Sequence, residues 1–213
     1  MKTIYCISGL GATAKAFSKL KIEGYRLHVI EWMQPLHNET IEAYAARMAA
    51  AIKEDNPILL GLSFGGMMCI EMAKHIPVKK IILVSSIKTK YELPFWMKAV
   101  GKTGLHKISP LKTNSRLTRP VQNFFLGTHT AEDKEVAIQF RRNADVAYVR
   151  WAIDKVLNWQ NTLLPPGVIH IHGSADKMFP IKKLSATATI KNGGHFMIMN
   201  KAAEVSATIN RFL

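Results

Sequence analysis

The sequence is poor in cysteine, in acidic residues and in long hydrophobic runs. Its 213 residues include two cysteines, Cys6 and Cys69, both in apolar stretches, where free thiols behave as small hydrophobic side chains. This excludes a disulfide scaffold and a cysteine-based zinc site. The longest aliphatic run is residues 81–84, and the apolar stretch after Met1 ends at Ser8. The sequence therefore predicts neither a membrane span nor a secretory signal, and we expect a cytoplasmic protein.

Acidic residues are outnumbered, 15 against 29 Lys and Arg, which gives a net charge of +14. Half of this excess lies in residues 88–119, which contain eight basic residues and one acidic residue. Such a field can steer an anionic substrate, an anionic lipid surface or a nucleic acid. The stretch has no signature of a nucleic-acid-binding motif. We expect a solvated surface here and no nucleic-acid partner, with contact between the basic segment and a membrane surface left open as the alternative.

Short β-rich runs alternate with helix-like stretches along most of the chain. The predicted strands are residues 3–8, 25–32, 58–62, 80–85, 168–172 and 186–190, and the predicted core helices are residues 14–20, 38–53, 65–75 and 196–212. Strands that are apolar on both faces and separated by helices indicate a mostly parallel sheet covered on both sides. The sequence therefore predicts an α/β fold with six strands in the spatial order second, first, third, fourth, fifth, sixth.

Residues 87–164 interrupt this alternation. They contain two amphipathic helical stretches, 131–143 and 146–159, and no strand pattern. These 78 residues are far too many for a connection between neighbouring strands, which usually takes about 2–6 residues outside its helix. We predict a core made of residues 1–86 and 165–213, with residues 87–164 inserted after the fourth strand as a helical cap.

Two glycine motifs follow predicted strands. The first, Gly9-Leu10-Gly11 with Ala14, fits the dinucleotide-binding fingerprint G-x-G-x-x-A, and Glu31 has roughly the spacing of a ribose-binding acid. A nicotinamide-dependent oxidoreductase is therefore one hypothesis. Any tight turn from strand to helix also requires glycine, however, so the motif alone is weak.

The second motif is Gly61-Leu62-Ser63-Phe64-Gly65, between a predicted strand and a predicted helix. In this context G-x-S-x-G is typical of a nucleophile elbow, a turn so sharp that the flanking positions must be glycine. A serine needs a base to remove its proton and an acid to orient that base. Asp176 and His195 follow the fifth and sixth predicted strands, in the order that such enzymes use.

Four segments, residues 7–11, 60–66, 170–176 and 194–196, resemble the serine hydrolases of the α/β-hydrolase family, in its small, capped, esterase-like group. The resemblance implies Ser63 as nucleophile, His195 as base and Asp176 as the orienting acid. It implies an oxyanion hole made by the N–H groups of Leu10 and Phe64. It also implies an ester or thioester substrate, an acyl-enzyme intermediate, and no cofactor.

Other residues receive weaker predictions. The aromatic residues of the inserted segment should mostly pack, but we expect Trp96, Phe124 and Phe125 to contact substrate. His170, His172 and Asp176 lack a further ligand at zinc-binding spacing, so we predict no metal site. The i,i+4 pairs Arg141/Asp145 and Arg150/Asp154 are expected on solvent-facing helix surfaces.

Two alternatives of other classes stay open from the sequence. One is the NAD(P)-binding oxidoreductase just described, which leaves Ser63, Asp176 and His195 unexplained. The other is a ligand-binding protein that has the α/β-hydrolase fold but performs no chemistry. The sequence is compatible with a monomer or a homodimer.

Overall fold

The fold is a six-stranded parallel sheet in a computed structural model that describes residues 1–108 and 116–213. The strands are β1 (Lys2–Ile7), β2 (Tyr25–Val29), β3 (Ile58–Leu62), β4 (Lys80–Val84), β5 (Val168–Gly173) and β6 (Ala188–Ile190). Their spatial order is β2-β1-β3-β4-β5-β6, and every pairing is parallel. The predicted fold class and strand order are confirmed.

Helices cover both faces of this sheet. On one face, α1 (Ile41–Ala49) and α2 (Phe64–Met72) form a core cluster with side chains such as Leu59 and Ile81. On the other face, a 3-10 turn (Ala14–Phe17), α8 (Met197–Asn200) and α9 (Ala202–Asn210) pack on side chains such as Leu60 and Ile82. Neighbouring strand residues point to opposite faces, so each central strand contributes to both clusters.

Several predicted boundaries are wrong. The helix predicted at 38–53 begins at Ile41, because the side chain of Thr40 accepts a hydrogen bond from the Ala43 N–H and caps it. The closing helix predicted at 196–212 is interrupted at Lys201, whose backbone is not helical (φ −131°, ψ 32°). The second and sixth strands are shorter than predicted, because pairing ends at Val29 and begins at Ala188.

Residues 87–164, which we call the inserted segment, lie between β4 and β5. Its described helices are α3 (Phe95–Thr103), α4 (Leu105–Ile108), α5 (Arg119–Leu126), α6 (Ala131–Asn143) and α7 (Val146–Leu157). Helix α6 starts with a capping box between Thr130 and Asp133, and Asp145 caps α7. Lys112, one of the eight basic residues noted above, is outside the described residues.

Both cysteines are free and buried, and burial raises the pKa of each thiol. Within residues 1–108 and 116–213, no helix has the length and hydropathy needed to cross a membrane.

Candidate active site

Ser63 occupies the turn between β3 and α2 in a strained backbone conformation. Its φ of 52° and ψ of −119° lie in a region that non-glycine residues rarely adopt. Two hydrogen bonds hold it there: the Ser63 N–H donates to the Val84 carbonyl at 2.9 Å, and the Ser86 hydroxyl donates to the Ser63 carbonyl at 2.6 Å. The turn therefore has the geometry expected of a nucleophile elbow.

The glycines around Ser63 allow this turn to pack closely. A methyl group at Gly61 would lie 2.5 Å from the Gly65 carbonyl oxygen, and one at Gly66 would lie 2.6 Å from the Ser86 Cβ. Real Cβ atoms do not approach other heavy atoms so closely. The G-x-S-x-G-G pattern is therefore a steric requirement of the strand-to-helix turn.

The three residues implied by the family resemblance come together at one end of the sheet. His195 Nε2 lies 2.9 Å from the Ser63 hydroxyl oxygen, and His195 Nδ1 lies 2.8 Å from Asp176 Oδ2. The Asp176 carboxylate can only accept, so Nδ1 carries the hydrogen and Nε2 is free to accept the Ser63 proton. This arrangement is the one that general-base activation of a serine requires.

Asp176 is buried and held in place by its own loop. Its Oδ1 accepts hydrogen bonds from the backbone N–H groups of Met178 (2.8 Å) and Phe179 (2.9 Å). Burial raises the pKa of this carboxyl, but the neighbouring His195 and His172 and the Phe179 N–H outweigh burial and leave the pKa below its usual value. Asp176 is therefore ionised at neutral pH.

His170 and His172 form a buried chain behind Asp176. His172 Nε2 lies 2.8 Å from the Phe179 carbonyl, which can only accept, so His172 Nδ1 accepts from His170 Nε2 at 3.2 Å. Burial lowers the pKa of both imidazoles, that of His170 to about 3. Both rings are therefore neutral. Within the described residues, no three His, Cys, Asp or Glu side chains are grouped so that they could hold a metal ion.

The turn after β1 lies beside the elbow. A methyl group on Gly9 would be 3.5 Å from the Ser63 Cβ, and Leu10 and Phe64 line the same cavity as Ser63. Among the described residues, the backbone N–H groups of Leu10 and Phe64 have no acceptor. Both N–H groups are thus available to an oxyanion.

This placement also bears on the dinucleotide hypothesis. The Gly9-Leu10-Gly11 turn packs against Ser63, while Glu31 is exposed after the end of β2. The glycine pattern is accounted for by the close approach of the turn to Ser63 and by the positive φ of Gly11 (71°).

A cavity of about 620 Å³ opens above Ser63 and His195. The core and the inserted segment both line it, mostly with apolar side chains. Trp96 and Phe125, two of the three aromatic residues predicted to contact substrate, line this cavity with their ring centres 5.5 Å apart.

Phe124, the third of these aromatic residues, does not line this cavity. Adjacent residues on a helix point about 100° apart, and α5 therefore directs Phe125 inward and Phe124 outward. Phe124 lies in a separate cavity of about 740 Å³, with Lys177 Nζ 3.6 Å from its ring centre. This second cavity is lined by basic side chains, among them Arg116, Arg119, Lys134 and Lys177.

The predicted ion pairs on the helices of the inserted segment are also wrong. Asp145 caps α7 by accepting from the Tyr148 N–H at 2.7 Å, while Arg141 donates to Asn123 Oδ1 at 3.3 Å and lines the cavity above Ser63. Asp154 pairs with His106 rather than with Arg150. Arg141 is a cavity residue that the sequence pattern did not reveal, because the i,i+4 spacing indicates a neighbour and not the direction of the cavity.

Comparisons with known proteins agree with this architecture. The sequence model of the "Alpha/beta hydrolase family" matches residues 4–208. No curated protein sequence matches the chain.

Solved structures with the same fold have low sequence identity to the chain. A thermophilic esterase from Thermogutta terrifontis is 15% identical with a TM-score of 0.75, and the match covers 100% of this chain and 89% of the esterase. A bromoperoxidase from Bacillus anthracis is 16% identical with a TM-score of 0.72, over 99% of this chain and 91% of that one. An epoxide hydrolase from Bacillus megaterium is 13% identical with a TM-score of 0.70, over 100% and 93%. At such identities the structures establish the fold alone, whereas the family model spans nearly the whole sequence, and the chain belongs to the α/β-hydrolase family.

Proposed function

We propose that this protein is a serine hydrolase that cleaves a small carboxylic ester or thioester through an acyl-enzyme intermediate. The observation that carries the proposal is the continuous hydrogen-bonded series from Ser63 through His195 to Asp176, at 2.9 and 2.8 Å, at the floor of an apolar cavity. A ligand-binding protein without chemistry has no need for this alignment, nor for the strained backbone at Ser63.

The first half of the reaction transfers the acyl group to Ser63. The Ser63 oxygen attacks the substrate carbonyl carbon while its proton moves to His195 Nε2. The ionised Asp176 stabilises the resulting imidazolium and fixes its tautomer. The Leu10 and Phe64 N–H groups stabilise the negative charge on the former carbonyl oxygen, and one such donor contributes about 2.7–4 kcal/mol in well-studied enzymes.

The second half releases the acyl group. When the tetrahedral intermediate collapses, His195 donates its proton to the departing alkoxide or thiolate, and the alcohol or thiol leaves. Water then attacks the acyl-enzyme, with His195 as base, and a second collapse returns the proton to Ser63 and frees the carboxylic acid. No cofactor is required in either half.

The cavity supports a small, largely apolar substrate. A volume of about 620 Å³ falls within the range of sites for small molecules. Its roof consists of residues of the inserted segment, including Trp96, Met97 and Phe125. We propose that the inserted segment acts as a cap that shields the acyl-enzyme from bulk water and selects the substrate.

Steady-state hydrolysis of p-nitrophenyl butanoate tests this function. Ser63→Ala should lower kcat by roughly 10⁴–10⁶ because the triad acts as a unit. Ser18→Ala, at an exposed serine that does not line the cavity, is the matched control and should keep wild-type kcat. A wild-type protein without esterase or thioesterase activity, or a Ser63→Ala variant as active as Ser18→Ala, would contradict the proposal.

A further inference from the structure

The catalytic cavity contains an unusual concentration of unsatisfied polar atoms. In the described part of the chain, seven buried side-chain nitrogen and oxygen atoms have no hydrogen-bond partner. Four of the seven belong to residues that line the cavity: Arg141 Nε and Nη1, Gln122 Oε1 and His106 Nδ1. Burying a polar group without a partner is costly, so the two unpaired donor nitrogens of Arg141 indicate a ligand that accepts their hydrogen bonds.

Arg141 is the one side chain of fixed charge among the described residues that line this cavity, and no Asp or Glu lines it with Arg141. Its recorded hydrogen bond, from Nη2 to the neutral amide of Asn123, is long at 3.3 Å. Burial lowers the pKa of its guanidinium, and the charge of Arg119 lowers it further, yet an arginine stays protonated in proteins. The cavity therefore holds a positive charge that no acidic residue of the described part of its lining neutralises.

The helix that bears Arg141 is tied to the catalytic centre. Ala144, three residues further along and just past the end of α6, has its Cβ 3.4 Å from where a methyl group on Gly11 would lie. Residues three apart share one face of a helix, about 4.5 Å apart along its axis. Asn123, which accepts the hydrogen bond from Arg141, is on α5. The last residue of α5, Leu126, accepts a hydrogen bond from the Phe196 N–H at 2.8 Å, beside His195. Arg141 is thus held between the oxyanion turn and the loop of the catalytic histidine.

We propose that Arg141 binds an ionised carboxylate of the substrate, so that the preferred substrates are esters or thioesters that carry a second carboxyl group. The proposal rests on the proposed hydrolase function and adds the substrate class to it. The guanidinium would gain charge-assisted hydrogen bonds for its two unpaired nitrogens, while the apolar lining would contact the hydrocarbon between the two carboxyl groups.

A carboxylate fits this site better than a phosphate. The lining supplies one full positive charge in mostly apolar surroundings, which a singly charged group neutralises. A phosphate dianion would leave one negative charge uncompensated and desolvated, at considerable cost.

The test compares esters that are matched in length and differ in one charge. In the first pair, the anionic ester is monomethyl adipate, with its carboxylate on the acyl side, and the neutral ester is methyl hexanoate. In the second pair, the anionic ester is butanoyloxyacetic acid, with its carboxylate on the alcohol side, and the neutral ester is ethyl butanoate. Acid release in a pH-stat gives kcat/KM for each ester. We expect the wild-type protein to prefer the anionic member of one pair, which also identifies the side that faces Arg141.

Substitution of Arg141 should remove this preference selectively. Arg141→Gln should lower kcat/KM for the preferred anionic ester roughly 10- to 100-fold, the usual value of a hydrogen bond to a charged group, and should change the neutral ester less than about threefold. Arg142→Gln removes an equal charge from the exposed neighbouring position and should change neither ester. Arg141→Lys keeps the charge and should lose less than Arg141→Gln, which keeps the comparison informative if Arg141→Gln folds poorly.

Binding to a Ser63→Ala protein separates this inference from the hydrolase proposal. Calorimetric titration with monomethyl adipate or butanoyloxyacetic acid should detect binding that Arg141→Gln weakens in the Ser63→Ala background, whether or not the wild-type protein turns the ester over. Binding without turnover would overturn the hydrolase proposal alone. Turnover of neutral esters with no preference for a carboxylate, or equal losses for both members of a pair in Arg141→Gln, would overturn the role of Arg141 alone.

Discussion

Gly65 packs directly against the carbonyl group of Ile7: a methyl group on Gly65 would lie 2.6 Å from the Ile7 carbonyl carbon. This contact sets the first turn of α2 against the end of β1. It thereby brings the Leu10 turn next to Ser63, so that two backbone N–H groups from separate elements can serve one oxyanion.

Gly65→Ala should therefore destabilise the fold as well as impair catalysis. The added methyl group meets backbone atoms of Ile7 and Ser8, which cannot move without shifting β1. We expect a loss of 1–3 kcal/mol or more in the free energy of unfolding, as for other overpacked sites, measured by urea denaturation.

Gly9→Ala is the matched control for this substitution. A methyl group at Gly9 would meet its nearest neighbours at 3.5–3.6 Å, which is ordinary van der Waals contact. The variant should unfold at nearly the wild-type urea concentration. Equal destabilisation of the two variants would contradict the steric account of the elbow.

Asp176→Asn tests the role of the carboxylate. The amide can donate to His195 Nδ1 and so favours the wrong imidazole tautomer, and kcat should fall by roughly 10³–10⁴ while the far-ultraviolet circular dichroism stays unchanged. Asp55→Asn, at an exposed acidic position, should keep full activity. An Asp176→Asn variant within tenfold of wild type would place the orienting acid elsewhere.

The buried His170 should make the protein less stable in acid. Its pKa is about 3 in the folded protein because of burial, against about 6.5 in an unfolded chain. Between these values the unfolded chain binds the extra proton, so stability falls as the pH is lowered from about 6.5 to about 3, by at most about 1.36 kcal/mol per pH unit.

His170→Gln should flatten this dependence between pH 4 and pH 6, measured as the free energy of unfolding in urea. His37→Gln, at an exposed histidine, should leave the slope as in wild type. An unchanged slope in His170→Gln would show that His170 does not stay neutral in the folded protein.

The basic stretch of the inserted segment gives a prediction about salt. If Lys98 and Lys102 steer an anionic substrate, kcat/KM for a carboxylate ester should fall several-fold as the Debye length shrinks from about 10 Å at 0.1 M to 3 Å at 1 M, with little change for its neutral partner. Lys98→Glu with Lys102→Glu should reproduce the loss at low salt. Lys107 is omitted because it already pairs with Asp154 at 3.3 Å. Equal salt responses of the two esters would identify the stretch as a solubilising surface.

Both the sheet and the proposed triad could be predicted from the sequence, for the same reason. Parallel strands place their carboxyl ends at one edge, so Ser63, Asp176 and His195, each just after a strand, had to lie near one another. Local patterns of apolar residues and glycine were enough to place those strand ends.

The inserted segment was less predictable, because the positions of its side chains depend on how its helices pack. Phe124 and Phe125 are neighbours of the same type, and only the orientation of α5 decides which of them faces the cavity. The position of Arg141 also depends on helix packing, because its hydrogen-bond partner Asn123 is on another helix, 18 residues away in the sequence. Contacts of this kind leave no periodic pattern in a single sequence.

The most direct test of Ser63 as the nucleophile is the site at which a fluorophosphonate reacts. Its phosphorus is attacked by an activated serine, and tryptic digestion with mass spectrometry locates the adduct. We expect one adduct per chain, on Ser63, whose formation is abolished in Ser63→Ala and strongly slowed in Asp176→Asn. An adduct on a different serine, or labelling of Ser63→Ala at the wild-type rate, would contradict it.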